Sequence, residues 1–188
     1  MATAGANLPT TTSSGAAHGS ANTWTNPNNA QAIDGVFATA SSGMNPTNDL
    51  ACTGFGFSIP SGATINGIQA TASGKVSTGT GFFSSLSSLI KGGVTQGTFG
   101  SNGGNNFGTT QGTCTLGGVS SLWGTTWTDT NINASNFGVN ASFGKTGKGT
   151  KTISIDYIQL TITYTAASGG VFTQTRIVRQ AVNRASTY

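Results

Sequence analysis

Large apolar residues alternate with small or polar ones over several short stretches of this chain. Within residues 50–59, Phe55, Phe57 and Ile59 fall on one face, with glycine or serine between them. Alternation with a period of two is typical of a β-strand that buries one face. The stretch is therefore predicted to be a half-buried strand.

A short turn is predicted directly after this strand, at residues 60–63 (PSGA). Apolar residues return beyond the turn at Ile65, Ile68, Ala70 and Ala72. Two strand patterns separated by a few turn-forming residues predict a β-hairpin. We therefore expect the two strands to pair with each other.

A further strand is predicted near residue 140, where the alternation is strict. Phe137, Val139, Ala141 and Phe143 are separated by small or polar residues. Residues two apart in a strand point to the same face. These four side chains are therefore expected to line the core.

The longest strand pattern spans residues 152–165 and has apolar residues on both faces. Ile153 and Ile155 are in one phase, whereas Ile158 is in the other. Either the strand is buried on both faces near its middle, or a β-bulge at Tyr157-Ile158 shifts its register.

Residues 95–118 carry no clear pattern. They follow a turn signal at Gly92-Gly93 and are rich in Gly, Asn and Thr. Such a stretch predicts long exposed loops or one weakly patterned hairpin. No strand is assigned within it.

The composition favours the same fold class as the strand patterns. Glutamate is absent, only 6% of the residues are charged, and 29 residues are glycine. This mixture disfavours helices and suits strands joined by tight turns. We predict an all-β fold, an antiparallel, jelly-roll-like β-sandwich with a flexible N-terminal segment and an appended C-terminal arm.

The chain is predicted to hold one folded domain with a segment at each end. Residues 1–22 are an arm or a weak first strand, residues 23–166 form the sandwich, and residues 167–188 are a linker and a basic arm. The N-terminus lacks the basic and apolar regions of a secretory signal. No run of about 20 apolar residues is present, so no membrane association is expected.

Most of the net charge of +4 comes from the end of the chain. Residues 1–170 contain five Lys against four Asp, whereas all three arginines follow them. A nearly neutral body does not resemble the basic surface of a DNA reader, so nucleic acid is not an expected partner. The arm is predicted to bind a protein partner through its large apolar and arginine side chains: Phe172, Arg176, Ile177, Arg179 and Arg184.

Groups able to perform acid–base catalysis are few. His18 is the single histidine, and the acidic side chains are Asp34, Asp49, Asp129 and Asp156. A Ser-His-Asp triad would need His18 to fold back onto the core, and each Asp has a structural explanation in a turn or strand. We predict no catalytic activity and no cofactor. The alternatives are a hydrolase with paired Asp residues, and a calcium site using Asp34, Asp49 or Asp129.

Cys52 and Cys114 are predicted to be small buried apolar residues. Two cysteines far apart in sequence leave open whether they pair. With no CxxC motif and a single histidine, a zinc site is excluded. The glycosylation triplets at Asn133 and Asn140 are interpreted as chance matches, since Asn140 lies in a strand pattern.

Trp123 and Trp127 lie four residues apart, a spacing that places them on the same face of a strand or turn. Tryptophan faces can stack on sugar rings in a binding cleft. Burial in the core is the commoner role for tryptophan in a small β domain. The pair is therefore a candidate glycan-binding site, with core packing as the alternative.

Four motifs, taken in order, resemble a β-sandwich domain of tailed-phage and prophage structural proteins. The similarity covers about residues 23–165. The motifs are TWTNPNNAQAIDGVFATA, TGFGFSIPSGATINGIQATASGK, LWGTTWTDTNINASNFGVNASF and ISIDYIQLTITYT.

This resemblance implies a location on the surface of a virus particle and protein partners, and it carries over no catalytic residues. Domains of this kind are capsid decoration or cement proteins, head fibres or tail-associated adhesins. We therefore expect a decoration or cement protein that binds the major capsid protein or another virion protein. A glycan- or host-surface-binding adhesin of a phage fibre or tail is the alternative.

Because a chain with so little charge leaves its edge strands unprotected, a homodimer or homotrimer is also expected.

Overall fold

The computed structural model describes residues 1–15, 22–97 and 106–167. These residues contain a 3-10 helix at Pro27–Ala30 and a short α-helix, α1, at Asp129–Asn133. The strands in the described residues are β1 (Ala2–Asn7), β2 (Thr11–Ser14), β3 (Ala38–Ser42), β4 (Leu50–Thr53), β5 (Thr64–Val76), β6 (Gly81–Phe83), β7 (Ser88–Lys91), β8 (Val94–Gln96), β9 (Gly112–Gly117), β10 (Gly138–Ala141), β11 (Phe143–Lys145) and β12 (Lys151–Thr165).

The strands form two five-stranded antiparallel sheets and one two-stranded ribbon. In the first sheet the order is β1-β12-β5-β9, and β3 also pairs with β12. In the second sheet the order is β2-β4-β10-β7-β8. The ribbon consists of β6 and β11.

The strand pairs are nested in sequence order. β1 pairs with β12, β4 with β10, β5 with β9 and β7 with β8, so strands from the first half of the chain meet strands from the second half in reverse order. The contacts of β5 with β12 and of β7 with β10 complete the two sheets. This is the strand order of a jelly roll. The predicted all-β sandwich is confirmed.

The core lies between the two sheets. From β12 it takes Ile153, Ile155, Ile158, Leu160 and Ile162, all fully buried.

The residues predicted to line the core near residue 140 do so, but they do not lie in one strand, since β10 ends at Ala141 and Phe143 begins β11 in the ribbon. Phe137, Val139, Ala141 and Phe143 are all buried, and the rings of Phe83 and Phe143 stack with their centroids 4.9 Å apart.

The predicted strand over residues 50–59 is too long. β4 ends at Thr53, because Gly54 and Gly56 have φ values of +74° and +65°, in the left-handed region that favours glycine. The aromatic rings that follow β4 still pack into the core, with Phe55 and Phe57 stacked at 6.2 Å between centroids. The alternation therefore predicted which residues are buried, but not their backbone conformation.

The predicted hairpin between this strand and the next is wrong. β4 pairs with β2 and β10, whereas β5 pairs with β9 and β12. The turn at residues 60–63 is formed, with the Ala63 N–H donating to Pro60 O at 3.2 Å, but the segment from residue 54 onward crosses from one sheet to the other. The hairpin expectation fails because the nested order places these consecutive strands in opposite sheets.

A β-bulge interrupts β12, which is one of the two alternatives predicted, but it lies between Ile155 and Tyr157 and not at Tyr157-Ile158. Ile155 pairs with Gly74 and Tyr157 pairs with Ser73, so Asp156 is the inserted residue. The bulge shifts the side-chain phase and places the isoleucines on both sides of it on the core face.

The start of the chain is part of the sandwich. Of the two alternatives for residues 1–22, an arm or a first strand, the described residues 1–15 contain two strands. β1 pairs with the end of β12 and β2 pairs with β4. Residues 168–188 of the predicted linker and arm (167–188), and residues 98–105 of the region without assigned strands, lie outside the described residues.

Gly138 is predicted to be a position that accepts no side chain. A Cβ there would lie 1.9 Å from Cys52 O, in the pairing of β10 with β4, whereas a Cβ on Gly108 would meet nothing within 4 Å. We expect Gly138→Ala to lower the free energy of unfolding by about 3 kcal/mol or more, and Gly108→Ala to change it by less than about 0.5 kcal/mol. Urea unfolding of both variants tests this, and equal midpoints would contradict the assigned register.

Candidate functional site

A glycine-containing loop, residues 146–150, joins β11 to β12 at one end of the sandwich. Gly147 and Gly149 have φ values of +79° and +77°, which glycine adopts without steric cost. Thr146 fixes the start of the loop, because its N–H donates to Thr80 O at 2.9 Å and its Oγ1 accepts from the Thr80 N–H at 3.1 Å. The loop therefore has a defined shape.

Two lysine ammonium groups converge on this loop. Lys145, the last residue of β11, donates from Nζ to Gly147 O at 2.5 Å. Lys151, the first residue of β12, places its Nζ 3.7 Å from the position that a Cβ on Gly147 would take, and donates to Thr78 Oγ1. Lys148 lies between them in sequence and is exposed. Three of the five lysines of the chain are thus held within one seven-residue stretch.

Two of these lysines, Lys145 and Lys148, line one wall of a cleft of about 570 Å³, whereas Lys151 is not among its lining residues. Met44, which is fully exposed, contributes an apolar side chain to this cleft. The residues that line it are Gly43, Met44, Lys145, Gly147, Lys148, Gly149 and Thr150. We call this the lysine cleft.

An aromatic ring lies beside the lysine cleft, in an adjoining hollow of about 250 Å³ that shares Gly43, Met44 and Lys145 with it. The half-buried ring of Phe82 covers Gly144, since a Cβ on Gly144 would lie 2.7 Å from Phe82 Cε2. No aspartate lines either hollow, and the chain has no glutamate. The linings of the two hollows therefore combine cationic, apolar and backbone groups and include no carboxylate.

Asp156 has a structural role. It is 1% exposed, and its Oδ1 accepts a hydrogen bond from the Gly35 N–H at 2.8 Å. Its Oδ2 accepts from Gln111 Nε2 at 2.7 Å, and the same amide also donates to Ser73 Oγ at 3.0 Å. The side chain therefore joins two loops to the bulge of β12. The structural explanation expected for Asp156 within the strand is therefore confirmed.

The other aspartates lie in separate elements. Asp34 lies in a turn, as expected from the sequence, and its Oδ1 accepts from the Val36 N–H at 2.9 Å. Asp49 is buried just before β4, and Asp129 is in the first turn of α1. Within residues 1–15, 22–97 and 106–167, no three His, Cys or Asp side chains come together as a metal site requires. His18 is outside these ranges.

Both cysteines are free and buried, as expected. Burial raises the pKa of the Cys114 thiol to about 12, and it raises the pKa of Cys52 still further above its ordinary value. Because the thiolate is the reactive form, neither residue is suited to nucleophilic chemistry.

The predicted glycan-stacking role of Trp123 and Trp127 is wrong. The two side chains are only 2% and 7% exposed, and their indole N–H groups donate to Ile68 O and Leu122 O, each at 3.0 Å. Trp127 also meets Phe137 edge to face, with ring centroids 5.5 Å apart. Neither ring offers the free face that a sugar needs, so the alternative of core packing holds.

The asparagines of the two glycosylation triplets are used inside the fold. Asn133 donates to Ile59 O at 2.9 Å and accepts from the Ile59 N–H at 2.7 Å. Asn140 is buried and donates to Thr95 Oγ1 at 3.0 Å. Both amide groups are therefore occupied by contacts within the domain.

The lysine cleft was not predicted from the sequence, although a signal for it was present. The stretch KTGKGTK at 145–151 repeats lysine every third residue with small residues between. Counting charge over the whole body concealed this local cluster, because Asp residues elsewhere cancel it. The predicted partner-binding residues are Phe172, Arg176, Ile177, Arg179 and Arg184, and all five lie outside the described residues.

The fold and the site together define an antiparallel β-sandwich of jelly-roll strand order with a carboxylate-free lysine cleft at one end. No helix in the part of the chain that the structure describes is long and apolar enough to cross a membrane. No family model, curated protein or solved structure matches the chain.

Replacement of Asp156 is predicted to destabilise the domain more than replacement of Asp34. Asp156→Ala leaves a Gly35 N–H and part of the Gln111 amide without their partner, at a cost of about 2–3 kcal/mol. Asp34→Ala removes one exposed turn contact, at a cost below about 1 kcal/mol. Chemical unfolding of the two variants measures the difference. Equal losses of stability would show that Asp156 does not join the loops to β12.

Proposed function

We propose that this chain is a non-enzymatic structural protein of a virus particle. It acts as a capsid decoration or cement protein on the particle surface, where it binds the major capsid protein or another virion protein. The resemblance of residues 23–165 to phage structural domains and the jelly-roll sandwich support this proposal. A fold alone does not define a function, so the surfaces of the domain must support the same role.

The observation that carries the proposal is the lack of charge on the edge strands. At the outer edges of the two sheets, β2 (TTSS), β8 (VTQ) and β9 (GTCTLG) contain neither a charged residue nor a proline. Proteins that stay alone in solution protect such edges with lysine, proline or covering segments. Uncharged edges fit a domain that packs beside neighbours, and they support a homodimer or homotrimer.

The use of the acidic groups supports the absence of catalysis. Asp156 and Asp34 hold loops through hydrogen bonds. Both thiols are buried, and their pKa values are raised by burial. General acid–base catalysis requires titratable groups within hydrogen-bond reach of each other and of a substrate.

The sequence after the sandwich supports an attachment role for residues 171–188. β12 ends at Thr165, and Ala167 passes Gly62, 3.4 Å from the position of a Cβ on that glycine. The 21 residues that follow Ala167 contain all the arginines of the chain together with Phe172 and Ile177. Arginine pairs well with carboxylates at protein interfaces, and the apolar residues can be buried against a partner.

Deletion of residues 171–188 is predicted to abolish binding to the particle and to leave the sandwich folded. Co-sedimentation with capsids that lack the protein measures occupancy, and the urea midpoint of the sandwich measures folding. Two full-length variants separate the contributions: Phe172→Ala with Ile177→Ala removes apolar contacts, and R176Q with R179Q and R184Q removes charge. Normal occupancy by the truncated chain would reject attachment through this segment.

A lysine placed on an edge strand is predicted to weaken self-association. Ser13→Lys, Val94→Lys and Thr113→Lys each add a charge at an exposed position of β2, β8 or β9. At least one should shift the oligomer toward monomer in sedimentation velocity, because a charge buried between two edges lacks a partner. Thr110→Lys, in a loop, is the control. A monomeric wild-type chain would contradict the prediction.

A further inference from the structure

We propose that the lysine cleft is a binding site for an acidic saccharide, one that carries carboxylate or sulfate groups. This goes beyond the proposed function, since attachment to a shell requires no saccharide site. It also differs from the glycan site first predicted, whose two tryptophans are buried in the core.

The charges of the cleft supply the first argument. Lys145 and Lys148 line the cleft, and the ammonium group of Lys151, which is outside the lining, lies beside Gly147 and donates to Thr78 Oγ1. No carboxylate lines the cleft to offset them. Like charges held close together repel each other, and an anion placed among them removes that repulsion. The site is therefore electrostatically suited to an anionic ligand.

The shape of the cleft supplies the second argument. Its volume of about 570 Å³ lies within the range of about 300–1,000 Å³ that is usual for small-ligand sites. Gly147 and Gly149 have left-handed backbones that favour glycine, and a Cβ on Gly149 would meet nothing within 4 Å, so the exposed backbone at Gly149 is accessible to a ligand. Sugar hydroxyls need such a mixture of backbone and side-chain hydrogen-bonding groups.

Apolar side chains beside the charges point to a sugar ring. Met44 is fully exposed at the cleft, and the half-buried Phe82 ring lies in the adjoining hollow. A pyranose ring has apolar C–H faces that pack on such surfaces, whereas an inorganic anion gains nothing from them. Charged and apolar groups within one cleft fit an acidic sugar better than a bare anion.

A nucleic acid fits this site less well. Proteins that bind single strands use a basic groove that follows the backbone over several nucleotides, with aromatic rings that stack on successive bases. Here the lysines occupy a single stretch at 145–151, and Phe82 is the one aromatic residue that lines the two hollows. The described residues contain no arginine.

The test uses full-length chains in which Arg176, Arg179 and Arg184 are all changed to Gln, so that the basic segment does not contribute to binding. Four probes are titrated calorimetrically at low and at physiological salt. Oligomers of polygalacturonate carry carboxylates, short dextran sulfate carries sulfates, neutral dextran carries no charge, and a single-stranded DNA of matched charge represents nucleic acid.

Lys148→Gln is the informative substitution, because its side chain makes no hydrogen bond in the described part of the chain and its loss should not affect folding. We expect this substitution to weaken binding of the better acidic saccharide about fivefold. Changing Lys145, Lys148 and Lys151 together to Gln is expected to weaken binding about 50-fold or more. Lys91→Gln removes an equal charge at the end of β7 and should leave the affinity within about twofold. Thermal unfolding confirms that each variant is folded.

The proposal is supported if either acidic saccharide binds more tightly than neutral dextran and DNA. In addition, the affinity must fall in the Lys148 variant and be retained in the Lys91 variant. Comparison of the carboxylate and sulfate probes identifies the preferred anion. Absence of binding to both acidic probes would overturn the proposal. Equal binding by the chain that carries only the three Arg-to-Gln changes and by the chain in which Lys145, Lys148 and Lys151 are also changed to Gln would also overturn it. Tighter binding of DNA would assign the cleft to nucleic acid instead.

Discussion

The pairing of β12 with its neighbours is the interaction on which the rest of the structure depends. Along one edge, β12 pairs with β5 from Ile153 to Thr165. Along the other edge it meets β3, then Gln31 through a bridge to Tyr157, and then β1. Three separate segments from the first quarter of the chain are thus held by one strand near the end. Pairing with β12 gives the backbone N–H and C=O groups of each segment a hydrogen-bond partner that water would otherwise have to supply.

The bulge at Asp156 reconciles two demands on that strand. In a regular strand, residues an odd number of positions apart point to opposite faces. The isoleucines before the bulge and those after it could therefore not all face the core without it. The inserted Asp156 corrects the phase, and its carboxylate accepts hydrogen bonds from Gly35 and Gln111. The irregularity in the sheet therefore also fixes the loops that cover it.

The fold class was predictable from the sequence because alternation reports burial directly, as Val139 and Phe143 show. The partners of each strand were not, since β4 and β5 are neighbours in sequence but belong to different sheets. The end of the strand at Gly54 and Gly56 could not be predicted, because glycine also occurs within strands. The lysine cleft was missed because Met44 and Lys148 are far apart in sequence and meet only in the folded chain.

The nested strand order also bears on how the domain forms. β1 is synthesised first but pairs with β12, which is the last strand described, so the outermost pair joins residues about as far apart as the domain allows. Contacts of such long sequence separation are slow to form, because the intervening chain must lose its freedom first. The order of synthesis and the order of pairing thus run in opposite directions. An incomplete chain exposes uncharged strands that have no partner, and assembly has to wait until the last strand is available.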